Sequence, residues 1–144
     1  MNLVIDASVL IKFFIPEILS EKAENLNSRV AKGELSLVAP DLIFPEVGNI
    51  LWKKHRMKEL TRSEVTLIVD AIVSMPMEIE ASQPLLPTAV DLGLACGITV
   101  YDAIYVSLAM IREMVLMTAD RKLADIMGRT DYKKYIAWLG DSIQ

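Results

Sequence analysis

The chain has 144 residues, which suits one domain with a substantial core and is too short for two comfortable ones. It is 53% apolar and 24% charged, which excludes disorder, and its formal net charge of −4 excludes a general nucleic-acid binder working by bulk electrostatics. No apolar run approaches the roughly 18 residues that a membrane span needs and no cationic leader precedes the first apolar stretch, so no membrane is expected and the expected compartment is the cytoplasm.

Residues 2–6 predict a short strand that ends abruptly on a carboxylate, Asp6, in "LVIDAS". Ser20 is expected to cap a helix running to about Lys32 and closed by Gly33. "LSLVAP" at 35–40 predicts a second strand stopped by Pro40, and a second helix follows from Asp41 or Pro45 to about Met57. Thr61 and Glu64 have the T-x-x-E spacing of a capping box, opening a third helix whose apolar positions recur until Pro76. "MEIEA" at 77–81 reads as a strand, and 85–95 as a helix introduced by Pro84 and Pro87 and ended at Gly97. Asp102 is expected to start another helix, "AIYVSLAMI", before strands at 115–118 and 135–139.

Strands that alternate with helices imply parallel pairing, because each parallel pair needs a crossover, and crossovers cover the sheet. The expected fold class is therefore α/β: a three-layer α/β/α sandwich with a mostly parallel sheet of about five strands, built as a single domain over residues 1–144.

In such a sheet the strands end, and the following helices begin, along one carboxyl edge, where open α/β folds bind ligands. Asp6, Glu46, Asp102 and Asp120 all fall on that edge although they lie far apart in the chain. Taken singly, Asp102 and Asp120 would be ordinary helix-start acids and Glu46 a solvated first-turn acid; Asp6 must be partly desolvated and needs a partner. Taken together, carboxylates about 5 Å apart repel by roughly 3 kcal/mol per pair at an effective dielectric near 20, so the fold must supply a cation. The single cysteine, Cys96, reads as a core residue and the single histidine, His55, as a surface one. The ligand set is then all oxygen, which suits Mg²⁺ or Mn²⁺ better than zinc, and such ions serve mainly phosphate chemistry.

The substrate class is narrowed by what is missing: no P-loop and no dinucleotide-binding glycine motif occurs. "KKHRMK" at 53–58 is a basic patch in an acidic protein, and Lys53 shares a helical face with Glu46, with Asn49 between them. Lys12 follows the first strand. Acids flanked by a basic strip suit a nucleic-acid backbone better than a small phosphate ester.

"VIDASVLIKFF" (4–14), "PEVGNILWK" (45–53), "YDAIYVSLA" (101–109) and "TADRKL" (118–123) resemble the four acidic motifs of PIN domains, in order, and more particularly those of small VapC-type toxins. The resemblance implies a Mg²⁺- or Mn²⁺-dependent endoribonuclease whose catalytic and metal-binding acids are Asp6, Glu46, Asp102 and Asp120. It implies substrate-binding or hydrogen-bonding roles for Ser8, Asn49 and Thr118, with Lys53 added from the basic strip. It further implies in-line attack by metal-activated water leaving a 5′-phosphate and a 3′-hydroxyl, a homodimer, and silencing by a cognate antitoxin that wraps the toxin. Pro45, next to Glu46, is not required by the family pattern.

Other readings of the same pattern are distinguishable. A receiver domain would need a lysine where "YIAWLGD" ends in Asp141, and a haloacid-dehalogenase-like phosphatase a second Asp where Ser8 stands. A housekeeping RNA-processing nuclease and a non-catalytic interaction module on the same fold remain as alternatives. Phe13, Phe14, Leu51 and Trp52 are expected to pack in the core rather than line a partner groove.

Overall fold

The computed structural model describes residues 1–141; the last three residues of the expected single domain lie outside the described part. Five strands, β1 (Asn2–Ile5), β2 (Ser36–Pro40), β3 (Met77–Glu80), β4 (Val115–Thr118) and β5 (Ile136–Trp138), form one all-parallel sheet in the order β3-β2-β1-β4-β5. Leu3, Val4 and Ile5 are all buried although neighbouring side chains point to opposite faces, so both faces of the sheet are covered at β1, whereas the edge strand β3 alternates apolar and acidic residues. The expected α/β sandwich is the fold observed.

Among the described residues seven helices connect and flank the strands: α1 (Ala7–Leu10), α2 (Ser20–Ala31), α3 (Ile43–Arg56), α4 (Arg62–Val73), α5 (Leu86–Cys96), α6 (Val100–Ile111) and α7 (Arg121–Gly128). The most deeply buried is α6, in which Ala103 to Ala109 are all enclosed and which packs on β1, β2 and β4. Among the described residues no single helix is long and apolar enough to cross a membrane.

Three local expectations need correction. Ser20 does not cap α2. It is the first helical residue, and the cap position is held by Leu19 in a left-handed conformation (φ 71°), while Ser20 Oγ accepts from Glu17 N at 2.7 Å and donates to Ile15 O at 3.2 Å. Asp102 does not start α6: Thr99 is the cap, its Oγ1 accepting from Asp102 N at 3.1 Å, which sets Asp102 as the third residue of the first turn. Trp52 is 57% exposed rather than core, whereas Leu51 is buried and Phe13 and Phe14 pack partly against the core. The capping box of Thr61 and Glu64 is present with both of its hydrogen bonds, and Gly97 closes α5 at φ 71°.

Candidate functional site

From β1 the chain passes outward to β2 and β3 on one side, then returns to β4 on the other, so the strand order reverses between β1 and β4. Neighbouring connections diverge there and leave a crevice at the carboxyl ends of the strands. A cleft of about 500 Å³ occupies this position, lined by Asp6, Ser8, Glu46, Asn49, Asp102 and Asp120, with Tyr101 and Tyr105 beside them. All four expected acids therefore meet in one place.

Asp6 is the innermost. β1 stops at Ile5 because Asp6 caps α1: its Oδ1 accepts from Val9 N at 3.2 Å and from Ser8 Oγ at 2.5 Å. Its Oδ2 accepts from Thr118 Oγ1 at the end of β4. The two hydroxyls are held in turn, with Ala119 N donating to Ser8 Oγ at 2.9 Å and Asp120 N to Thr118 Oγ1 at 3.0 Å. Both oxygens of a carboxylate that is only 6% exposed are thus fixed by donors from two adjacent strand ends.

Burial nevertheless pushes the Asp6 carboxyl up from 3.8 to about 6; the hydrogen bonds from Ser8, Thr118 and Val9 pull against that, and the Asp102 charge adds to it. Asp102, half-buried in the first turn of α6, is also raised, first by burial and then by the charges of Asp120 and Glu46. This mutual repulsion shows that the acids are near enough to feel one another. Glu46, in the first turn of α3, accepts from the buried Tyr105 hydroxyl at 2.5 Å. Burial and that acceptor together raise the Tyr105 phenol far above its ordinary value, so it stays a donor. Asp120 caps α7, accepting from Leu123 N at 3.1 Å, and remains exposed.

The remaining expected site residues separate. Asn49 reaches the cleft, and Ser8 lies both in it and beneath Asp6. Thr118 is fully buried and meets Asp6 from behind rather than facing the cleft. Lys53 lines an adjoining depression shared with Ser8, Ile50 and Lys12. Tyr105, which holds Glu46, had a signal in the sequence: it stands three residues after Asp102, on the same side of a helix, and a tyrosine amid an apolar run needs a partner for its hydroxyl.

Among the described residues no three His, Cys, Asp or Glu side chains form a ready cage for an ion. The donor set fits a small hard cation even so. Every donor is oxygen, the carboxylates of Asp6, Glu46, Asp102 and Asp120 face one cleft, and Mg²⁺ is commonly held by one or two carboxylates with its remaining positions on water.

The fold and this arrangement of acids define the class. The PIN-domain profile matches residues 3–128, and the chain belongs to the PIN-domain family. Within that family it is similar to a VapC protein: it is 35% identical over 127 residues to Ribonuclease VapC3 of Pyrobaculum aerophilum, across 87% of this chain and 94% of that protein. In fold it is similar to PAE2754 from Pyrobaculum aerophilum, with a TM-score of 0.71 at 22% identity over 97% of this chain and 90% of that one. It is likewise similar to a chain of a toxin-antitoxin complex from Klebsiella pneumoniae, with a TM-score of 0.60 at 15% identity over 94% and 95% of the two chains.

Proposed function

We propose that the protein is a Mg²⁺- or Mn²⁺-dependent endoribonuclease and the toxin of a toxin-antitoxin pair. The observation that carries the chemistry is the convergence of four carboxylates from four distant segments on one cleft, one of them buried and oriented through both oxygens. Such a cluster is costly unless it serves a cation. RNA is favoured as substrate by the ribonuclease name of a relative similar over nearly its whole length, and by the basic residues that adjoin the cleft.

Asp6, Glu46, Asp102 and Asp120 would hold the ion, which when bound would neutralise the acids, lower the pKa of an attacking water and offset charge at the phosphodiester. Ser8 and Thr118 keep both oxygens of Asp6 aimed, and Tyr105 keeps Glu46 turned inward. Asn49 offers an amide to the phosphate or the ribose at the cleft mouth.

The reading is tested with a panel of single-stranded and folded RNAs incubated with Mg²⁺, with Mn²⁺ and with EDTA, comparing wild type with Asp6→Asn. Cleavage that needs the cation and is lost in the variant is expected; cleavage that persists in EDTA would overturn it. The toxin role predicts growth arrest on expression and rescue by the neighbouring reading frame, whose product would be the antitoxin. A homodimer is expected, and sedimentation as a monomer at working concentration would remove that part of the proposal.

A further inference from the structure

The basic stretch after the cleft is not uniformly available. Lys54 is half-buried and committed to Glu17 at 3.2 Å and Glu59 at 3.4 Å. Lys53 and Lys58 make no ion pair among the described residues, and Arg56 lies over the ring of Trp52, its Cζ 5.3 Å from the ring centroid. Trp52 itself is 57% exposed, a large apolar surface left open on a helix that buries Ile43, Val47 and Leu51 on its other side.

On α3 the spacing joins these residues to the cleft. Asn49 lines it; Trp52 and Lys53 follow at i+3 and i+4, and Arg56 follows Trp52 at i+4, so the four form one continuous strip of helix surface. Trp52 lies about 9 Å along the helix axis from Glu46, at 1.5 Å per residue, a distance a nucleotide or two can bridge. A guanidinium lies over the indole, and more than half of the tryptophan nevertheless stays exposed. That is the form of a stacking platform: an aromatic plane, held by a cation, with further cations beside it.

We infer that Trp52 stacks an unpaired base of the substrate while Arg56 and Lys53 contact the flanking phosphates, so that the protein takes RNA with an unpaired nucleotide near the scissile bond. This rests on the ribonuclease reading above. A base within a duplex has no free face to offer Trp52, so the strip selects single-stranded or looped segments. Continuity with the acidic cleft favours the RNA strand over a protein as the occupant, and the cations around the ring match its phosphates.

The test is binding in EDTA, where nothing is cut, of labelled single-stranded oligouridylate and oligoadenylate and of a duplex of equal length. Trp52→Ala should weaken the single strands roughly 5- to 100-fold, Trp52→Phe should keep most of the affinity, and the duplex should respond little. Single-stranded RNA should quench tryptophan emission in wild type and not in Trp52→Phe, in which Trp138 is the remaining tryptophan. Arg56→Ala and Lys53→Ala should each lower the salt dependence of binding by about one charge. Unchanged affinity and emission on changing Trp52 would overturn the inference and leave the ribonuclease reading intact, as would loss of self-association in Trp52→Ala with RNA binding unaffected. Failure of wild type to bind any RNA, with or without Mg²⁺, would remove the ribonuclease reading and this inference with it.

Discussion

The Asp6 carboxyl, pushed up to about 6 by burial, ties stability to pH with a definite sign. Below about pH 3 it is protonated in both folded and unfolded chains and contributes nothing. As pH rises the unfolded chain ionises first, so the folded state is increasingly penalised until Asp6 itself ionises near 6. Above that the penalty is constant at about 3 kcal/mol. Asp6→Asn should therefore raise the stability of the metal-free protein near neutral pH, read by urea titration, by up to that amount, and leave it little changed at pH 3. Mg²⁺ should stabilise wild type and not the variant; a wild type that is the more stable of the two without metal would contradict the burial argument. At Glu46, Tyr105→Phe removes the one side-chain donor that holds the carboxylate among the described residues. It should cost about 1 to 2 kcal/mol in stability and lower kcat roughly 10- to 100-fold with little change in KM, measured on a cleavable oligonucleotide.

At the scale of elements, the site depends on how helices begin. Thr99 caps α6 and fixes the turn that carries Asp102. Thr99→Ala should cost about 1 kcal/mol of stability, read by denaturant titration, and should lower activity more than that loss explains, whereas Thr61→Ala, which breaks a capping box outside the cleft, should cost a similar amount of stability and leave cleavage unchanged. Caps also mark where the sequence was informative. The Thr61–Glu64 box and Gly97 could be read directly because each satisfies backbone groups with its own side chain or conformation. Ser20 misled because its hydroxyl serves the preceding turn, and Asp102 because Thr99, three residues earlier, is the better-placed acceptor. The four-residue α1 and the 3-10 turn at Ile11–Phe13 are too short for any periodicity to announce them. Trp52 was expected inside on hydrophobicity alone; the helical position that exposes it becomes clear only once the opposite face of α3 is seen to be covered.

For the whole molecule, alternation of strands and helices gave away a parallel sheet, and the crossovers that parallel pairing needs gave away its cover on both faces. The order β3-β2-β1-β4-β5 was not legible, because strand order is decided by long-range packing that no local pattern encodes. Yet that order makes the cleft: β1 and β4 are neighbours, so Asp6 and Thr118 share a hydrogen bond across more than a hundred residues of chain, and the reversal between them opens the crevice. The acids could be picked out because each ends a strand or enters the first helical turn on one edge. The supports, Thr118 from behind Asp6 and Tyr105 beside Glu46, required the packed structure. The central claim is that these carboxylates converge in order to hold a divalent cation, and calorimetric titration of the metal-free protein with Mn²⁺ tests it most directly, with Asp6→Asn and Asp102→Asn alongside. The account predicts saturable binding by wild type that is strongly weakened in both variants; absence of binding by wild type, or equal binding by all three proteins, would contradict it.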